Sequence, residues 1–445
     1  MMVARQRVRR RASAATLARI AALGPFVAAV MAAEKRATRY WPLRFPRSPE
    51  ELERNPELLF KLLTLPSRGL LAPIADPSRS RFVGQSRGTR ITTEPDKNRM
   101  TGFFDLEIEE GGRHRIVQVV TKFQSGRGMP LYMQAMRAVV EYGFAREIEF
   151  YRRLASVVPV ETPRPLFADA VTLLNRVCLV LQRTEGVTPT DWSGCSVPAI
   201  ELLLSNVARL NAAFVDRTAS GPTSWIPARG GLDFAEYVTG FITRQPTWYQ
   251  RIWTALQTYF HARPVTLVHG DCRPGNMLFR GIELDPARGD EDTAAAWPQS
   301  PTPKDAGVVM ADWEAINVAP VLWDFTYCTT IGLRCADRRQ WQPRLLNTFL
   351  AQLRDLGVVP PAVDTTRAAM ETQLLAIVLA YISLVVLDHN LWSGQGNTEN
   401  DIAAWKRRVL EAGADGDAAE IARTIDVTED DVRRLQDYFS SRSRS

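Results

Sequence analysis

Two hydrophobic periods divide this chain. Between about residues 81 and 124, β-branched and aromatic residues gather in the short runs "RITTE", "RMTGFFDLEIE" and "HRIVQVVTKF", which read as strands. The last two are separated by Glu110-Gly111-Gly112, a hairpin signal. The period then changes. In "EYGFAREIEFYRRLA", Phe144, Ile148, Tyr151 and Ala155 share one face at about 100° per residue, which predicts an amphipathic helix. After a Pro-containing link, "RVCLVLQRT" reads as a further strand. From about residue 196 helical patterns dominate: "VPAIELLLSNVARLNAAFVDR", "WYQRIWTALQTYF", "QPRLLNTFLAQLRDLG" and an apolar run near 370–392.

Strands with one helix, followed by a helical half, imply an α+β chain in two lobes rather than a doubly wound sheet. The expected divisions are an extension over 1–79, a strand-rich lobe over 80–184, a helical lobe over 185–415 and a helical tail over 416–445. Within the extension, "SPEELERNPELLFKLL" starts as a helix should, with Ser48 as cap and Pro49 in the first position. No fixed-period repeat is visible, which argues against a solenoid. Residues 280–307, rich in Asp, Ala and Pro and without periodicity, read as a disordered surface insertion.

Composition changes this picture little. At 445 residues, with 45% hydrophobic and 23% charged residues, the chain can bury a large core. Its charge is uneven. Residues 1–54 carry 12 of the 55 Lys/Arg but only four of the 49 Asp/Glu, so the basic balance belongs to a tail and not to a nucleic-acid-binding body. That tail precedes "AALGPFVAAVMAA", which loosely imitates a signal peptide; an amphipathic helix lying on the protein or, in weak contact, on a membrane surface is the blander expectation. "LLAIVLAYISLVVL" is short for a span and suits a buried helix. Five cysteines, odd in number and without C-x-x-C spacing, fit neither a disulfide framework nor a zinc site, and point to a reducing, cytoplasmic compartment.

The candidate chemistry lies in "LVHGDCRPGNMLFR", residues 267–280. Moving a phosphoryl group to a hydroxyl requires a carboxylate to take or orient the acceptor's proton. It also requires oxygen donors for magnesium and a cation for the phosphates. The chain offers each. Asp271 follows the apolar run "VTLV", Asn276 comes five positions later, and "GVVMADWE" presents Asp312 after another short strand. "VQVVTKF" supplies Lys122 near a strand end. On the following helix Glu147 falls beside the buried face while Glu149 falls opposite, so Glu147 is the better partner for Lys122.

"HGDCRPGN" followed by "ADWE" resembles the signatures of aminoglycoside phosphotransferase and choline kinase-like enzymes. "FAREIEFYRRLA" and "VARLNAAF" resemble the ecdysteroid kinase-like, or CHK kinase-like, branch. The resemblance runs over roughly residues 80–390 in order. It implies a two-lobed protein-kinase-like fold with an antiparallel-sheet lobe and a mainly helical lobe, ATP and Mg2+ as cofactors, and a small-molecule hydroxyl acceptor. It further implies that Lys122 contacts the phosphates and pairs with Glu147, that Asp271 is the catalytic base, and that Asn276 and Asp312 bind Mg2+. The backbone of Gln182, Arg183 and Thr184 would face adenine, Asp324 would brace the loop and His269 would orient it. Three features depart from the pattern: the loop "TEPDKNRM" lacks glycine, Asn211 stands where the family often has His, and 36 residues separate Asn276 from Asp312.

Other chemistries find less support. His114, His261 and His389 show no metal spacing, and Cys272 has no neighbour that would activate it. The absence of H-R-D, D-F-G and A-P-E speaks against a protein kinase. The expectation is an ATP-dependent small-molecule kinase; the alternative is a pseudokinase or nucleotide-binding module that keeps the cleft without the chemistry.

Overall fold

The structure is a computed structural model. It describes residues 48–64, 74, 79–86, 89–94, 99–124, 143–171, 176–189, 194–218, 221–226, 242–284, 291–292, 305–359, 364–388 and 399–443. The basic segment before residue 48 and the middle of the glycine-free loop, 95–98, lie outside them. The chain divides into two compact units: residues 1–148 with 165–183, and residues 149–164 with 184–445.

Among its described residues the first unit has helices α1 (Pro49–Arg54) and α2 (Glu57–Thr64), followed by strands β1 (Ser80–Gln85), β2 (Thr89–Glu94), β3 (Arg99–Glu110) and β4 (Arg113–Gln124). Helix α3 (Gly143–Arg153), which crosses the division after Ile148, precedes β5 (Pro165–Val171) and β6 (Arg176–Gln182). The strands form an antiparallel six-stranded sheet in the order β1-β3-β4-β6-β5, with β2 also paired to β3. Gly111 and Gly112 close the β3–β4 hairpin at φ +59° and +80°, a pair of positive angles that two-residue hairpin turns require.

Strand alternation sets the two faces of this sheet. Phe104, Leu106 and Ile108 on β3, with Val119 and Phe123 on β4, point into a core closed by Leu52, Leu59, Leu62, Leu63 and Ile74. Ser48 caps α1 as expected, its side chain accepting from Glu51 N at 3.3 Å. The described part of the expected extension thus forms one wall of this core, through leucines that recur at helical spacing. Strand β5 lies in the segment read as a Pro-containing link. It ends the sheet, and Pro165 opens it, where a missing N–H is tolerated.

The second unit holds α4 (Val197–Phe214), α5 (Thr247–His261), β7 (Val265–Val268), β8 (Met277–Arg280), β9 (Gly307–Met310), β10 (Asn317–Pro320), α6 (Trp323–Gly332), α7 (Cys335–Asp355), α8 (Ala368–Asp388), α9 (Glu399–Ala414), α10 (Ala418–Ile425) and α11 (Glu429–Ser443). Its strands form two small antiparallel pairs, β7 with β10 and β8 with β9. The chain is thus α+β, with an antiparallel-sheet unit and a mainly helical one, as its periodicities imply. Apolar α8 is buried along Leu374–Leu384, and among the described residues no helix is long and apolar enough to cross a membrane.

Three details differ from the sequence reading. Helix α7 begins at Cys335 and runs through Pro343, whereas the apolar pattern places its start beside the proline. The tail packs into the helical unit: α11 buries Val432, Leu435 and Phe439, and Asp431 bonds Arg251 of α5 at 2.7 Å. The insertion is anchored where it is described. Glu291 takes the N–H of Cys335 at 3.0 Å, capping α7, and accepts from Arg408 Nε at 2.9 Å, while Asp292 pairs with Arg407. Acids of a loop can find arginines more than a hundred residues onward, a pairing to which local periodicity is blind.

Candidate active site

Strand β7 delivers the chain to His269-Gly270-Asp271, and a short 3-10 turn, Pro274–Asn276, returns it into β8. Gly270 has φ +85°, and a β-carbon there would lie 2.1 Å from Ala315 O, so only glycine fits. Asn211 of α4 steadies β7 from behind: its side-chain amide donates to Leu267 O at 3.1 Å, and its backbone carbonyl accepts from Thr266 Oγ1 at 2.8 Å.

Asp271 is held on both carboxylate oxygens. Asn276 Nδ2 donates to Oδ2 at 2.9 Å and to the Asp271 carbonyl at 3.0 Å. Tyr327, on α6, donates its phenol O–H to Oδ1 at 2.6 Å. Arg273 Nε stands 3.4 Å from Oδ2. With its Nδ2 committed to Asp271, Asn276 presents its amide oxygen as the group left to meet a cation.

Asp312 joins this group through Ala311. The β8–β9 pair sets Met277 opposite Met310. One residue further, Ala311 N donates to Asn276 O at 3.1 Å, and Ala311 O accepts from His269 Nε2 at 2.8 Å. Asp312 itself adopts the left-handed conformation, φ 61° and ψ 57°, which Asp tolerates better than most residues. Trp313 follows it, stacking on Phe150 at 4.0 Å and donating Nε1–H to Met310 O at 2.8 Å, so its place is structural.

Asp324, in the first turn of α6, accepts from His269 N at 2.7 Å and from Gly270 N at 3.0 Å. Burial pushes its carboxyl above the ordinary range, against the opposing pull of His269 and of these two N–H donors. Burial, reinforced by a hydrogen bond with Cys328, also drives the Cys272 thiol well up, which makes it a poor nucleophile.

In the strand-rich unit, Lys122 projects from β4 on the face opposite Thr121 and Phe123. Its ammonium lies 2.9 Å from Glu147 Oε1 on α3, with the glutamate wholly buried. Gln182 ends β6, and Arg183 N donates to Gln118 O at 2.9 Å. The division between the units falls between Arg183 and Thr184.

The structure therefore pairs Lys122 with Glu147 in one unit and gathers Asp271, Asn276 and Asp312 in the other. Two residues that touch Asp271 were missed in the sequence. Arg273 lay in plain view inside the quoted loop. Tyr327 gave only one signal, its position three residues after Asp324, which places both on one helix face.

Residues 134–289, roughly a third of the chain, match the APH family, described as the phosphotransferase enzyme family. The match contains Glu147, Asp271 and Asn276, while Lys122 and Asp312 lie outside it. Similar solved structures include a thermostable variant of an aminoglycoside phosphotransferase in ternary complex with ADP and hygromycin B (15% identity, 76% of this chain and 94% of that one, TM-score 0.41). Another is an amicoumacin kinase in complex with AMP-PNP, Ca2+ and Ami (11% identity, 87% and 96%, TM-score 0.42). A third is a choline/ethanolamine kinase family protein from Mesorhizobium loti (14% identity, 85% and 99%, TM-score 0.40). No curated protein sequence matches.

Proposed function

From the match of residues 134–289 to the phosphotransferase enzyme family, we propose that the protein is an ATP-dependent small-molecule kinase. It transfers the γ-phosphoryl group to a hydroxyl of a small acceptor. The observation that carries this reading is the double tie of Ala311 to Asn276 and His269, which brings Asp312 beside the loop of Asp271.

Asp271 is the acceptor-orienting base. As the acceptor oxygen bonds to the γ-phosphorus and the bond to the β–γ bridging oxygen breaks, the hydroxyl proton passes to Asp271 and ADP leaves. Asn276 and Asp312 fit a magnesium ion by the chemistry of their donors, an amide oxygen and a carboxylate, both hard oxygens. When bound, Mg2+ supplies positive charge against the phosphates. Lys122, steadied by Glu147, meets the phosphate oxygens as a point charge, and the backbone at Gln182–Thr184 faces the adenine.

The test is a metabolite screen with purified full chain, ATP and Mg2+, read by mass spectrometry as a gain of one phosphate. A phosphorylated alcohol that fails to form without Mg2+ supports the kinase. Mg2+-ATP binding without transfer to any hydroxyl would favour the pseudokinase alternative, and no nucleotide-dependent thermal shift at all would contradict both.

A further inference from the structure

Tyr327 reaches Asp271 from outside both loop motifs. It stands one turn beyond Asp324 on α6, and residues at i and i+3 share a helix face. A single turn of helix therefore grips three successive residues of the loop: the N–H groups of His269 and Gly270 through Asp324, and the carboxylate of Asp271 through the Tyr327 phenol.

That turn is firmly seated. Phe325, Thr326, Cys328 and Thr329 are buried, Phe325 meets Phe349 at 5.2 Å between ring centres, and Gln342 Nε2 donates to Thr329 Oγ1 at 2.9 Å. Packing alone would be served by a phenyl ring at position 327. The added hydroxyl reaches the one group on which the proposed chemistry turns, at 2.6 Å. The terminal torsion of an aspartate is soft. Donors on opposite oxygens, Tyr327 on Oδ1 and Asn276 on Oδ2, fix the plane of the carboxylate.

We propose that Tyr327 is a positioning residue: its phenol holds one lone pair of Asp271 Oδ1, setting the carboxylate so that the remaining lone pair takes the acceptor's hydroxyl. The inference rests on the kinase reading of Asp271. A carboxylate free to turn loses the alignment that makes proton acceptance and attack concerted, and misplacement of about 1 Å costs on the order of 100-fold in rate.

The experiment compares full-length wild type with Tyr327→Phe, which keeps the ring and removes only the hydroxyl. The expected variant folds, keeps its Mg2+-ATP thermal shift, and shows kcat about 10- to 100-fold lower with the ATP KM changed less than about twofold. In protein labelled at tyrosine 13Cζ, the signal lost in Tyr327→Phe should move in Asp271→Ala; ten tyrosines keep the spectrum tractable. An unmoved signal overturns the hydrogen bond. An active wild type matched by Tyr327→Phe in kcat overturns the positioning role alone, whereas a wild type inert toward every hydroxyl overturns the kinase reading and the role together.

Discussion

His269 Nε2 donates to Ala311 O at 2.8 Å, and this bond ties the loop that carries Asp271 to the strand end that carries Asp312. A carbonyl can only accept, so the ring is protonated on Nε2; its Nδ1 is buried without a hydrogen-bond partner among the described residues. Replacing His269 by Phe keeps a ring against Trp313, 4.6 Å away, but takes the ring donor from a part-buried carbonyl. Urea unfolding should show a loss of about 1–3 kcal/mol, with kcat reduced more than the ATP KM. A variant of wild-type kcat would remove His269 from the alignment of the two loops.

Lys122 and Glu147 form a pair in which the carboxylate is wholly buried. Removing the lysine takes a counter-charge from the buried carboxylate, so Lys122→Met should lower stability, and the double variant with Glu147→Met should recover part of the loss. Both variants should lose phosphoryl transfer. Equal stability of the single and double variants would show that the buried carboxylate does not depend on this lysine.

Asp324 makes stability depend on pH in a direction opposite to that of a salt-bridged carboxylate. Burial raises its folded pKa above the unfolded value, so the folded chain keeps a proton that the unfolded chain has released. Its contribution is full below the ordinary carboxylate range. It is lost as pH rises from about 4 through the folded value. Relative to Asp324→Asn, the wild type should lose stability across that interval, measured as the urea midpoint against pH. A constant difference would contradict the buried, raised carboxyl.

The sequence revealed most where function compresses residues into one segment. Asp271 and Asn276 lie in a single loop, and Lys122 and Glu147 could be paired because strand and helix periodicities place one near a strand end and the other beside a buried helix face. The β3–β4 hairpin was equally plain from two adjacent glycines. What escaped depends on tertiary meeting. Tyr327 needs α6 to dock before its hydroxyl reaches position 271, and Glu291 needs α9 to bring Arg408 to it. Pro165 disguised a strand as a link, because only an end strand tolerates it. The leucines of α1 and α2 join the sheet's core through packing that no local window contains.

The most direct measurement of the central claim is phosphoryl transfer by Asp271→Asn set beside its affinity for Mg2+-ATP. The substitution keeps the side chain's shape while removing the carboxylate that accepts from Asn276 and Tyr327. Transfer should fall at least about 1,000-fold while nucleotide affinity stays within a few-fold of wild type, as expected for an interaction that serves only the transition state. Turnover at the wild-type rate would contradict the assignment of Asp271, and with it this account of the site.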